Sequence, residues 1–212
     1  DSFQRLGFDD VSVYPHFHDD WAADPERPLR RLERYQQLVP PEWLKALLDG
    51  DKPDGIRGEN VVICHAHFDH KSVYDEGHVP GAIPLNTNLL ESPETWNRRS
   101  PEELKAALEN LGIRHDTTVL LYGRFSYPTY EQEHPAQSAG HLGAMRCAAI
   151  MLYAGVEDVK ILNGGLNTWE GAGHEISTAD VAPKPVDDFG ADVPAHPEYM
   201  VDIPEAKELL AS

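Results

Sequence analysis

The sequence predicts an α/β domain built on a mostly parallel sheet with helices on both faces. Three observations carry that prediction. Short all-apolar segments, Val61–Cys64 and Val119–Tyr122 among them, suit strands buried on both faces, as central parallel strands are. Segments with helical spacing and helix-start signals alternate with them, the order of a sheet wound with crossover helices. Finally, 41% apolar and 25% charged residues over 212 positions can build a sizeable core, while 16 Gly and 17 Pro are too few for a low-complexity chain.

Each element has its own signal. Near the start, LGFDDVSVY (Leu6 to Tyr14) suits a helix-ending glycine followed by a short buried strand, and residues 15–37, with Pro15, Pro25 and Pro28, suit a linker. Pro40-Pro41 then opens a helix EWLKALLDG, with proline in its first turn and Gly50 after its last. A polar turn leads to the strand Val61–Cys64. HAHFDHKSVYDEGHVPGAIPLN follows, with a short helix expected near Val73 and Tyr74 and a strand over Ala82–Leu85. Ser100-Pro101-Glu102-Glu103 spells a capping box with proline at the first helical position, ahead of ELKAALENLGI.

Strand Val119–Tyr122 is followed by a polar insert, Phe125 to Gly140, and then by HLGAMRCAAIMLYAG, a helix too apolar to face water. The insert either covers the corner at the strand end, contacts a neighbouring unit, or runs as a surface loop. Strand Val159–Leu162 and a helix after Asn163-Gly164-Gly165 complete the alternation. Trp43, Trp96 and Trp169 are expected in the core. Beyond Gly173 the chain is proline-rich, without amphipathic period.

Two matches within the chain indicate a repeat. Leu6–Tyr14 shares its pattern with Ala154–Leu162, and Val39–Leu48 shares Val, Lys and Leu-Leu with Val201–Leu210, each pair about 150 residues apart. The expected organisation is therefore residues 1–37 as the tail of a preceding unit plus linker, 38–178 as one whole unit, 179–200 as a connector and 201–212 as the start of a following unit.

Acidic residues outnumber basic ones 36 to 18, and a formal charge of -18 argues against nucleic-acid or anionic-membrane partners. No apolar run approaches the roughly 18 residues that span a bilayer. Two cysteines, Cys64 and Cys147, cannot form a disulfide framework and are expected as small buried hydrophobes. Of the two, Cys64 at the end of its strand is the candidate reactive thiol. Cys147 lies in an apolar helix, where burial disfavours thiolate.

Three motifs in one order, YDEGHVPGAIPLN, LGIRHDTTVLLYGR and AGVEDVKILNGGLNTWEGAG, resemble the rhodanese family of sulfurtransferases. The likeness covers about residues 38–178 and, with the repeat, is closest to the middle unit of bacterial sulfurtransferases built from three rhodanese repeats. The resemblance implies a rhodanese-like fold with a five-stranded sheet, a thiosulfate or mercaptopyruvate sulfurtransferase as the parent protein, no cofactor, neighbouring repeats as partners and a periplasmic location. In that family a cysteine at the end of the central strand carries sulfur as a persulfide, facing backbone N–H groups and an arginine.

Here Gly123 stands at the cysteine position, Arg124 follows it, and Arg146 resembles the arginine of the family's helix. Gly123, Arg124 and Arg146 thus form a vestigial active-site loop. The resemblance implies a catalytically silent unit serving as a structural or interaction domain. Arg146 is expected to meet carboxylate or carbonyl groups rather than substrate. A small anion could still be held by the helix beginning near Ser138.

A second motif competes. His65-Ala66-His67-Phe68-Asp69-His70 spells the H-x-H-x-D-H signature of the metallo-β-lactamase fold, in which imidazoles and a carboxylate hold zinc and activate water. The alternative expectation is a zinc-dependent hydrolase using His65, His67, Asp69 and His70. Against it, that family needs further histidines and an aspartate at the ends of other strands, and His78 belongs to the EGHVPGA element. The cluster could also chelate metal without catalysis, or be a solvated loop.

Overall fold

Five parallel strands form a single sheet in the order β1-β5-β4-β2-β3: β1 Leu38–Val39, β2 Val61–His67, β3 Ile83–Asn86, β4 Thr118–Tyr122 and β5 Asp158–Leu162. The computed structural model describes residues 35–58, 60–124 and 140–211. The helices are α1 Pro41–Leu48, α2 Ser72–Asp75, α3 Pro101–Asn110, α4 Gly140–Ala154, α5 Gly165–Gly171 and α6 Ile203–Ala211. None of them is long and apolar enough to cross a membrane. Leu6–Tyr14, most of the linker and the insert 125–139 lie outside the described residues.

Alternation along the strands divides the core in two, because residues paired in register share a face. Cys64, Ala66, Val119, Leu121 and Ile161 face Leu104 and Leu108 of α3 and Ala144, Cys147 and Met151 of α4. Ile63, Leu120, Tyr122 and Leu162 face Leu44 of α1 and Leu166 and Trp169 of α5. Helices therefore cover both faces, as predicted. The capping box of α3 forms as read: the Ser100 hydroxyl accepts from the Glu103 N–H at 3.3 Å, and the Ser100 N–H donates to the Glu103 carboxylate at 3.0 Å.

Strand β2 runs three residues further than its apolar stretch, so His65 and His67 are strand residues rather than loop residues. Backbone pairing carries it on: His65 sits opposite Tyr122 of β4, and His67 opposite Asn86 of β3. A strand with partners on both sides satisfies its backbone groups regardless of side-chain polarity. Trp96 also departs from expectation. Trp169 is buried, but Trp96 is 45% exposed, with a left-handed φ of 57°.

The proline-rich stretch 179–200 is a packed strap. Val186 N–H donates to Glu109 O at 2.9 Å, Phe189 is fully buried, and His115 N–H donates to Phe189 O at 3.0 Å. Further on, the Ala195 and His196 N–H groups reach the carbonyls of Ala154 and Tyr153 at the end of α4. One buried ion pair marks the N-terminal rim of the sheet. Lys160 Nζ lies 2.9 Å from the Asp158 carboxylate, which also accepts from Thr118 Oγ1 at 2.7 Å and Arg57 N–H at 3.1 Å.

Candidate functional site

The opposite rim, at the carboxyl ends of the strands, is where an open α/β sheet places its chemistry. Strand β4 delivers Gly123 there, between the first residues of α4 and α5. A Cβ at Gly123 would lie 2.3 Å from both the carbonyl carbon and the oxygen of Gly140, and 2.8 Å from His141 N. On the other side, a Cβ at Gly165 would lie 2.3 Å from Gly123 O, and Gly165 holds a left-handed φ of 65° that glycine adopts without strain. The Gly123 carbonyl accepts from Leu166 N–H at 3.0 Å. Three glycines thus bring three backbone segments into contact. The space that would receive a nucleophile's side chain is filled by main chain.

Arg124 and Arg146, the two arginines expected beside Gly123, are engaged elsewhere. Arg124 makes a two-pronged pair with Glu170 of α5, both contacts at 3.1 Å. Arg146 Nε donates to Glu91 at 2.7 Å and Nη2 donates to the Trp96 carbonyl at 2.9 Å, so its partners are the expected carboxylate and carbonyl. Its guanidinium also lies 5.3 Å from the Trp96 ring centre. Glu91 is only 2% exposed. The structure therefore does not bring Gly123, Arg124 and Arg146 together around one anion. Gly140 and Gly165 were legible only as glycines at helix starts, and nothing in the sequence marks Glu91 or Glu170 as partners.

The histidine motif does not assemble either. Among the described residues no group of three or more His, Cys, Asp or Glu side chains is placed to hold a metal ion, His65, His67, Asp69 and His70 included. His65 is fully buried with its ring against Tyr122 at 4.9 Å and Tyr74 at 5.8 Å. Asp69 and His70 are exposed beyond the strand, and Asp69 is hydrogen-bonded to the Asn88 side-chain amide. The cause is strand geometry: β2 carries the first two imidazoles into the sheet, leaving the last two members of the motif outside. His78 serves the fold, with ring nitrogens 2.9 and 3.0 Å from the carbonyls of Tyr74 and Ala179.

Neither ring nitrogen of His65 has a partner among the described residues. Burial pushes its pKa down to about 3, and burial also lowers His67 and His141. The folded protein keeps His65 neutral, whereas the unfolded chain takes up a proton near pH 6.5. Stability present above pH 6.5 is therefore lost as pH falls toward 3, by about 2 kcal/mol at pH 5 from this ring alone. Urea titrations of His65→Phe should show the gap between pH 8 and pH 5 narrowing by about that amount; an unchanged gap would place the acid sensitivity elsewhere.

The thiols offer no substitute nucleophile. Cys64 lies inside β2 rather than at its end, is fully buried, and burial pushes its pKa up to about 12. Cys147, within α4, is also fully buried with its pKa raised by burial.

Comparison with known proteins gives a consistent picture. Residues 40–172 match the profile of the rhodanese-like domain. The thiosulfate sulfurtransferase YnjE of Escherichia coli is 38% identical over 208 residues, covering 98% of this chain and 43% of that protein. The sulfur carrier protein TtuD of Thermus thermophilus is 25% identical, covering 81% of this chain and 48% of its own length. Among solved structures, the anaerobic ergothioneine biosynthesis enzyme of Chlorobium limicola, in complex with trimethyl histidine, is 50% identical with a TM-score of 0.83, covering 100% of this chain and 50% of that one. The chain spans about half the length of these relatives.

Proposed function

This chain belongs to the rhodanese-like domain family, and from that premise we propose that it is a catalytically silent unit of a longer sulfurtransferase, acting as a structural platform for its neighbours. The observation that carries this reading is the corner at Gly123, where sulfur transfer would need an ionisable side chain and main chain stands instead. In the longer protein the persulfide is carried by a cysteine outside this chain, and neighbouring units are the partners. For the sulfur acceptor we propose an imidazole of the trimethyl histidine class, a choice supported by 50% identity across the whole chain to an enzyme crystallised with that compound.

A thiosulfate and cyanide assay on this chain, reading thiocyanate, tests the silent role. No turnover above the uncatalysed rate is expected. Turnover abolished by Cys64→Ser would show that a thiol outside the family's position does the chemistry, and would overturn the proposal.

A further inference from the structure

A trough of about 580 Å³ opens at the other rim of the sheet, between the starts of β2 and β3, the end of α3 and the strap. Its floor is apolar: Val61 and Val62 are half-buried and Ile83 is buried. Val181 and Val186 of the strap, also half-buried, supply a second wall.

The strap is fixed on both sides of this opening. At one end the Tyr74 hydroxyl donates to Ala82 O at 2.9 Å and accepts from Val181 N–H at 3.1 Å, tying the strap to the start of β3. At the other, Val186 N–H is bonded to Glu109 O, and Gly112, with a left-handed φ of 78°, approaches so closely that a Cβ there would lie 2.4 Å from Lys184 O. The apolar side chains between these anchors stay only partly covered.

The charges around the trough are of one sign. Both charged residues that line it, Arg114 and Lys184, are basic, although acidic residues outnumber basic ones 36 to 18 in the chain. They stand at the same end, because Gly112 touches the Lys184 main chain and precedes Arg114 by two residues. Arg114 is oriented by Asp116 at 3.3 Å and by Asp188 O at 3.1 Å, while Lys184 has no ion-pair or hydrogen-bond partner among the described residues. An apolar trough with cations at one end matches a molecule with an apolar body and an anionic head.

We propose that this trough binds an amphipathic monocarboxylate, its apolar body along Val61, Val62, Ile83 and Val181 and its carboxylate at Arg114 and Lys184. The site lies at the opposite rim from Gly123 and does not depend on whether that corner is silent.

Decanoate, kept below the concentration at which it forms micelles, tests the proposal on the 212-residue chain, with binding read from the methyl resonances of Val61, Val62, Val181 and Val186. Those resonances should shift with a Kd of about 1 mM or tighter. Acetate, which lacks the body, and decyltrimethylammonium, which reverses the charge of the head, should each bind there at least about ten-fold more weakly. Lys184→Glu, an exposed substitution that leaves the fold intact, should weaken decanoate binding at least about five-fold. The same response is expected of the protein as its gene encodes it. No shift at those methyls, equal binding of the two decyl compounds, or unchanged affinity in Lys184→Glu would overturn the proposal. So would an encoded protein that does not respond, which would show another part of the chain covering the trough.

Discussion

Gly123→Cys is expected to weaken the fold by about 3 kcal/mol and to restore no sulfur chemistry. The new Cβ would meet the Gly140 carbonyl group at 2.3 Å and His141 N at 2.8 Å. These obstacles are main-chain atoms at the start of α4, and a backbone turn cannot swing aside as a flexible side chain can. Relief requires α4 to move away from β4, against the packing of Ala144, Cys147 and Met151 on the sheet. Because the cost comes from Cβ and not from sulfur, Gly123→Ala should lose nearly as much. Urea denaturation of the two variants checks this: an alanine variant as stable as the parent would mean that the corner can open. A single cysteine-to-glycine change leaves a cavity that a cysteine could refill, whereas here the neighbouring backbone occupies the space.

Asp158→Ala should cost about 3–5 kcal/mol, the loss expected when one partner of a buried ion pair is removed. Lys160 would keep its ammonium group, buried beside the Trp43 ring at 5.6 Å, without its carboxylate. Thr118 Oγ1 and the Arg57 N–H would lose their shared acceptor at the same time. Combining Asp158→Ala with Lys160→Met should recover most of the loss, because no unpaired charge then remains inside. Equilibrium denaturation of the single and double variants measures the coupling; additive losses would show that the two side chains are stabilised independently.

Much of the fold was legible because it is local and periodic. The apolar runs of β2, β4 and β5, the capping box at Ser100 and the glycines after α1 and α4 each act within a few residues, and each forms close to where its pattern places it. Of the site, the missing sulfur at position 123 and the carboxylate and carbonyl character of the Arg146 contacts were legible. Its closure depends on Gly140 and Gly165, which reach Gly123 through folding and carry no side chain to signal a role. The histidine motif misled for a related reason. Its spacing is that of metal ligands, but spacing along a strand does not say which residues the sheet will bury: β2 is paired on both edges at His65 and on the β3 edge at His67, and both side chains are buried. The fate of Arg124 and Arg146 was likewise decided by Glu170 and Glu91, 46 and 55 residues away in sequence.

The central claim is that this unit's sheet rim holds no place for a sulfur carrier. Intact-mass measurement of the chain and of Gly123→Cys after incubation with thiosulfate tests it most directly. Neither protein is expected to gain the mass of a cyanide-removable sulfur atom at the rim. A Gly123→Cys protein that folds with parental stability and gains one such sulfur at position 123 would contradict it.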